Sequence, residues 1–161
     1  METALEFFER VVRGTRKGTP MNESGVQSGT LHPFELRNVH PNLPQKVRKL
    51  FDDGHGAEAT FLAFKYIEKV VQRLSGKTEN GQKLMMLVFD RNKPIIRLNS
   101  LANQSEQDEQ EGYRFMFSGA VIGIRNPAGH EVILSDDPDV CLDHLAFASL
   151  LLRRLERSGH K

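Results

Sequence analysis

The sequence predicts an all-α fold, an antiparallel helical bundle with a flexible N-terminal arm. Three observations carry the all-α part. Apolar residues recur at helical spacing through most of the chain, Pro and Gly sit where helices start and stop, and the connections between periodic segments are short. At 161 residues the chain is long enough for one domain with a real core.

The elements follow in order. Leu5, Phe8, Val11 and Val12 share one face, so residues 3–12 read as a short amphipathic helix. "RGTRKGTPMNESGVQSGT" breaks that pattern and reads as a flexible linker with a basic start. Residues 1–30 are therefore an arm, and residues 31–161 the helical domain, opening at "LHP". A helix is predicted from Leu43 to Asp53, with Pro44 in its first turn and Gly54 at its end. The next spans Gly56 to Gly76. Its stripe of Ala59, Leu62, Ala63, Tyr66, Ile67, Val70, Val71 and Leu74, widened by Phe61 and Phe64, marks a central helix.

Gln82 to Phe89 forms a shorter helix, and "KLMMLVF" in it is core packing by flexible methionines. "PIIRLNS" is β-rich but too short for a sheet, and "NQSEQDEQ" reads as a polar loop entering the next helix. That helix carries Tyr113, Met116, Phe117, Ala120, Val121 and Ile124. Gly112, Gly119 and Gly123 lie along it at a cost in helix stability, which points to close approach of a neighbouring helix or a second chain. Pro127 biases Asn126 away from helical angles, so the helix is expected to end there. After the extended "HEVILS", Asp137 caps a last helix, Pro138 opens it and Gly159 follows its end. Its inner face is Leu142, Leu145, Ala146, Ser149, Leu152 and Leu155.

Charge narrows the function classes. Lys and Arg number 22 against 21 Asp and Glu, so no global basic field marks a tight nucleic-acid binder. The single Cys141 cannot form an internal disulfide, and no signal peptide is evident, which points to a cytoplasmic protein. Apolar runs are too short to span a membrane, so no membrane partner is expected. One Cys and six scattered His give no zinc-ligand pattern, and no metal or other cofactor is expected.

The chemistry concentrates in "GAVIGIRNPAGHE". Asn126–Pro127 can open a new helical turn whose free N–H groups attract anions, and Gly129 lets a ligand approach. Arginine pairs with phosphate oxygens and stays charged, and histidine moves protons at neutral pH. Together they suit phosphodiester chemistry in RNA, where the 2′-OH is the nucleophile. His130 is then base or acid, Arg125 stabilises the crowded phosphorane, and Asn126 orients a phosphate oxygen or the histidine. The pattern alone is not specific, since Arg48 to His55 and Arg153 or Arg154 to His160 also fit it. On structural grounds alone, Arg125 is a salt-bridge partner, Asn126 a cap and His130 a surface group. His55, at the mouth of the central helix, is either a cleft residue or a helix-start group. Lys65 and Glu68 pair locally, and they could also line the cleft and orient Arg125 or His130. Glu131, which ends the same stretch, is a further candidate for lining the cleft. "LLRRLER" puts positive charge at a helix C-terminus, with an RNA backbone contact as the sharper reading.

"LFDDGHGAEATFLAFKYIEKVVQRLSG", "GQKLMMLVFD", "LNS" and "DEQEGYRFMFSGAVIGIRNPAGHE" resemble, in order, the Ymh-type hypothetical proteins over roughly residues 31–155. That family resembles the HEPN superfamily, whose signature is an Arg, a polar neighbour and a His four to six positions on. Arg125, Asn126 and His130 fill it. The resemblance implies a metal-independent endoribonuclease with Arg125, Asn126 and His130 as catalytic residues. It also implies a homodimer with a composite cleft, RNA as substrate, and a place in a toxin–antitoxin or antiviral system with an antitoxin or operon partner protein. The alternative it implies is a catalytically inactive HEPN module that binds a nucleotide, an RNA or a partner protein.

Overall fold

A computed structural model describes residues 31–130 and 137–159, the side chain of His130 excepted. The expected N-terminal helix and linker, the "EVILS" connection with Glu131, and His160 lie outside the described residues. Among those described there is no strand, and the fold is all-α.

Helix α1 (Pro33–Leu36) opens the domain, with Nδ1 of His32 accepting from the Phe34 N–H. Helix α2 (Gln45–Asp52) starts one residue after Pro44, and Gly54 follows it at φ +83°. Helix α3 (Gly56–Ser75) ends at left-handed Gly76, whose N–H donates to the Gln72 carbonyl. It packs against α2, the last helix and the elements of the candidate site, which makes it central. Ala59, Ala63, Phe64, Ile67 and Val71 are buried on it, and Leu62, Tyr66, Val70 and Leu74 pack at the margin of the same core.

Helix α4 (Gly81–Val88) contributes Leu84, Met85 and Val88 to the core. "PIIRLNS" is irregular. It is held by Gln110, which is fully buried; its side chain donates to the Phe89 and Ile96 carbonyls and accepts from the Leu98 N–H. "NQSEQDEQ" is a correction. Only Asn103 lies outside helix α5 (Gln104–Ala120), and its side chain accepts from the Glu106 N–H. Glu106 reaches back to the Ala102 N–H, so the polar run forms the helix's own capping turn.

The end of that helix is a second correction. The chain does not leave helical angles at Asn126 (φ −65°, ψ −48°). Residues Val121–Arg125 instead form one π turn, in which the Asn126 N–H reaches back five residues to the Val121 carbonyl. Helix α6 (Asn126–His130) continues from it. A widened turn just before Pro127 accommodates the missing donor and the bulky ring without breaking the rod. Gly112, Gly119 and Gly123 are also not where helices of this chain touch, which leaves the second-chain contact of the two expectations. They are exposed, and a Cβ on any of them meets no described atom within 4 Å.

Helix α7 (Pro138–Arg157) is capped by Asp137, whose carboxylate accepts from the Asp139 and Val140 N–H groups. Leu142, Leu145, Ser149, Leu152 and Leu155 face inward as expected, joined by Cys141, Ala148 and Leu151, while Ala146 is half-buried. Two histidines without an expected role are structural. His32 pairs with Asp52 at 2.7 Å, and buried His40 with Glu156 at 3.0 Å.

Candidate functional site

The π turn sets Arg125 against the middle of α3. There the buried carboxylate of Glu68 accepts from Nη2 of Arg125 at 3.3 Å, from Nζ of Lys65, and from the Gly81 N–H at 2.8 Å. The second arm of the guanidinium, Nη1, donates to Oδ1 of Asn126 at 2.9 Å. Its plane lies near the Phe61 ring, 5.5 Å from the centroid. This cation–π contact is favourable and holds the group in one orientation. Arg125 keeps 17% of its side-chain surface, and its buried Nε has no hydrogen-bond partner among the described residues.

Burial pushes the Glu68 carboxyl upward. The hydrogen bonds from Lys65 and Gly81 and the charges of Arg125 and Lys65 outweigh it, and hold the group below the usual carboxylate range. Glu68 is therefore ionised at neutral pH. Two cations around one anion leave the cluster with a net charge of about +1, a fit to an anionic ligand.

Lys65, Glu68, Arg125 and Asn126 are thus brought together. His55 is not. It stands exposed at the start of α3, about 20 Å along the axis from Glu68 at 1.5 Å per residue. His130 is the last residue of α6, one helical turn past Asn126, and its side chain lies outside the described residues, as does Glu131. Because Asn126 sits inside a continuous rod, the free N–H groups expected of a new helix start are absent there. Gly129 has a different use from the one expected. A Cβ there would sit 2.7 Å from the Phe61 ring, so glycine admits Phe61 rather than a ligand.

The helical rod carries more than the Arg125 cluster. Gly123, Ile124, Pro127 and Ala128 line one wall of a cavity of about 200 Å³, with Thr60 on α3 and Val140 and His144 on α7 around it. The sequence carries no signal for His144. Burial lowers its pKa, against a smaller upward pull from Asp143, and it makes no hydrogen bond to any described residue.

The chain matches, over residues 37–155, the family model described as "Protein of unknown function (Hypoth_ymh)". It belongs to the Ymh family. No curated protein and no solved structure matches it. The matched span of this Ymh protein takes in α2 to α6 and nearly all of α7, and so includes the Arg125 cluster and the cavity beside it. No described helix is long and apolar enough to cross a membrane.

Proposed function

We propose that this Ymh protein is a HEPN-type, metal-independent endoribonuclease acting as a homodimer. The observation that carries the reading is the Arg125 cluster. The guanidinium is anchored from behind by Glu68, Phe61 and Asn126, and Arg125 lies five residues, about 1.4 helical turns, before the histidine that ends the same rod. A positioned cation beside an acid–base group is what in-line transesterification of RNA requires.

In this reading one His130 takes the proton from the 2′-OH. The 2′-oxygen bonds to the adjacent phosphorus, the P–O5′ bond breaks, and the second copy of His130 in the dimer protonates the departing 5′-oxygen. The products are a 2′,3′-cyclic phosphate and a 5′-OH. Arg125 carries the developing charge on the phosphorane, and Asn126 and Glu68 fix its orientation. Loops and single strands are the natural target because their linkages can align. A cytoplasmic toxin or antiviral role, with an antitoxin or operon partner, accords with such an activity.

The test is cleavage of a labelled structured RNA in EDTA. Wild type should yield cyclic-phosphate ends. Arg125→Ala should lose about 10²–10³-fold, and His130→Ala about 10²–10⁴-fold. Activity lost in EDTA and restored by a divalent ion would overturn the metal-free mechanism.

A second reading, a catalytically silent module that binds nucleotide, RNA or a partner protein, draws on one observation. Both terminal nitrogens of Arg125 are already engaged by internal partners. RNA binding without cleavage, unchanged in His130→Ala, would favour it.

A further inference from the structure

We infer that the cavity between the π turn and α7 is a subsite for a single nucleobase, with His144 reading the base edge. The inference rests on the reading of this protein as one that engages RNA, and it adds a place where one base of the strand is held.

Four observations carry it. The first is size. At about 200 Å³ the cavity is smaller than the roughly 300–1,000 Å³ typical of pockets for larger ligands, so it suits one planar ring system and not a whole nucleotide. The second is lining. Ile124 and Ala128 on one wall and Val140 on the other offer apolar surface to the faces of a ring, and the polar side chains on the lining are Thr60, Asp137 and His144. A base has this character, apolar on its faces and hydrogen-bonding at its edge, and extruded bases are commonly held between such walls.

The third is His144. It is half-buried on the cavity lining without a hydrogen-bond partner among the described residues, and burial favours its neutral form. A neutral imidazole offers one donor and one acceptor in diverging directions, so one of its nitrogens can meet a single donor or acceptor on a base edge. The fourth is Gly123. A glycine inside a helical rod costs about 1 kcal/mol relative to alanine. No packing against the described residues explains it, since a Cβ there meets none of their atoms within 4 Å. Gly123 lines the cavity, so a side chain at this position would take up space the ligand needs. The site is continuous with the proposed cleavage element, because Pro127 and Ala128 on its wall lie between Asn126 and His130.

The experiment is an NMR titration of the full chain with adenosine, guanosine, cytidine and uridine, nucleosides that carry no phosphate. Shifts are read at the methyl groups of Ile124 and Val140 and at the His144 ring. Saturable shifts at those three residues are expected, for at least one nucleoside, with a Kd on the order of 1 mM or tighter. Gly123→Leu should abolish them while the remaining spectrum shows the fold intact. Gly119→Leu, in equally open space one turn earlier and off the cavity lining, should leave them. His144→Phe should weaken binding about tenfold or more and flatten the preference among bases.

No saturable shift at the cavity with any nucleoside overturns the inference, whether or not the protein cleaves RNA. Shifts that survive Gly123→Leu overturn it as well. Cavity binding in a protein that never cleaves RNA leaves the inference standing, and removes the nuclease reading alone.

Discussion

Arg125 and Glu68, 57 residues apart in the chain, meet in a single ion pair with Nη2 at 3.3 Å from both carboxylate oxygens. The pair ties the π turn to the middle of the central helix. Glu68 is buried, whereas Arg125 and Lys65 keep partial access to water. Removing the carboxylate leaves two cations facing each other. Glu68→Ala should therefore cost about 3 kcal/mol, the low end for a broken buried pair, since both cations can turn toward solvent. Urea denaturation checks it. A loss below about 0.5 kcal/mol would mean that the pair is not an anchor.

Acid should destabilise the domain. Glu68, Asp90, Glu106 and Glu109 all have pKa values held below the usual carboxylate range. A depressed carboxylate contributes stability above its unfolded value of about 4.3, and loses it as pH falls through the folded value. His144 acts in the same direction from higher pH. Its folded pKa is lowered, so its protonation below about 6.5 opposes folding. Thermal stability should fall gently below pH 6.5 and steeply below pH 4.5. His144→Phe should flatten the first slope, and Glu68→Gln should reduce the second.

Gly129 and Phe61 are packed as a lock. With a Cβ 2.7 Å from the ring, Gly129→Ala forces Phe61 aside and disturbs its contact with Arg125. The expected cost is about 1–3 kcal/mol, typical of overpacking. Phe61→Leu in the same chain should return part of it. A double-mutant cycle by chemical denaturation measures that coupling, and strict additivity would refute the lock.

Gln110 is the pin of the irregular segment. Gln110→Leu would leave the Leu98 N–H and the Phe89 and Ile96 carbonyls without their side-chain partner. Each unsatisfied buried group costs about 1–3 kcal/mol. The total should exceed about 3 kcal/mol, with accelerated hydrogen exchange at the Leu98 amide. Unchanged exchange there would show that another group holds the segment.

Much of this was legible in the residues because the signals were local. Pro44, Gly54, Gly76, Asp137 and Gly159 mark helix ends through backbone geometry that any single sequence reveals. What was hidden depends on distant partners. The role of Gln110 is set by three carbonyl and amide groups up to 21 residues away, and no pattern around it says so. Pro127 read as a helix end because its local bias is real, yet the π turn absorbed it. Lys65 and Glu68 could be weighed as partners of Arg125 from the sequence, but only the fold brings Phe61 to the same guanidinium. For the glycines of α5 and the π turn, the helix cost pointed to a neighbouring helix or a second chain, and the fold of one chain removes only the first of these.

The π turn makes the rod from Asn103 to His130 a phase shifter. Each residue of an α-helix turns the next by about 100°. A turn closed over five residues instead of four moves everything beyond it by roughly one such step relative to α5. Upstream, Phe117 and Val121 follow the beat of the core; downstream, Arg125 to Ala128 follow a displaced one. Closing this turn over four residues, with the chain length unchanged, would restore an unbroken α beat. It would leave the core half of the rod in register and rotate Arg125 away from Glu68, so that the identical set of side chains would no longer assemble its cluster.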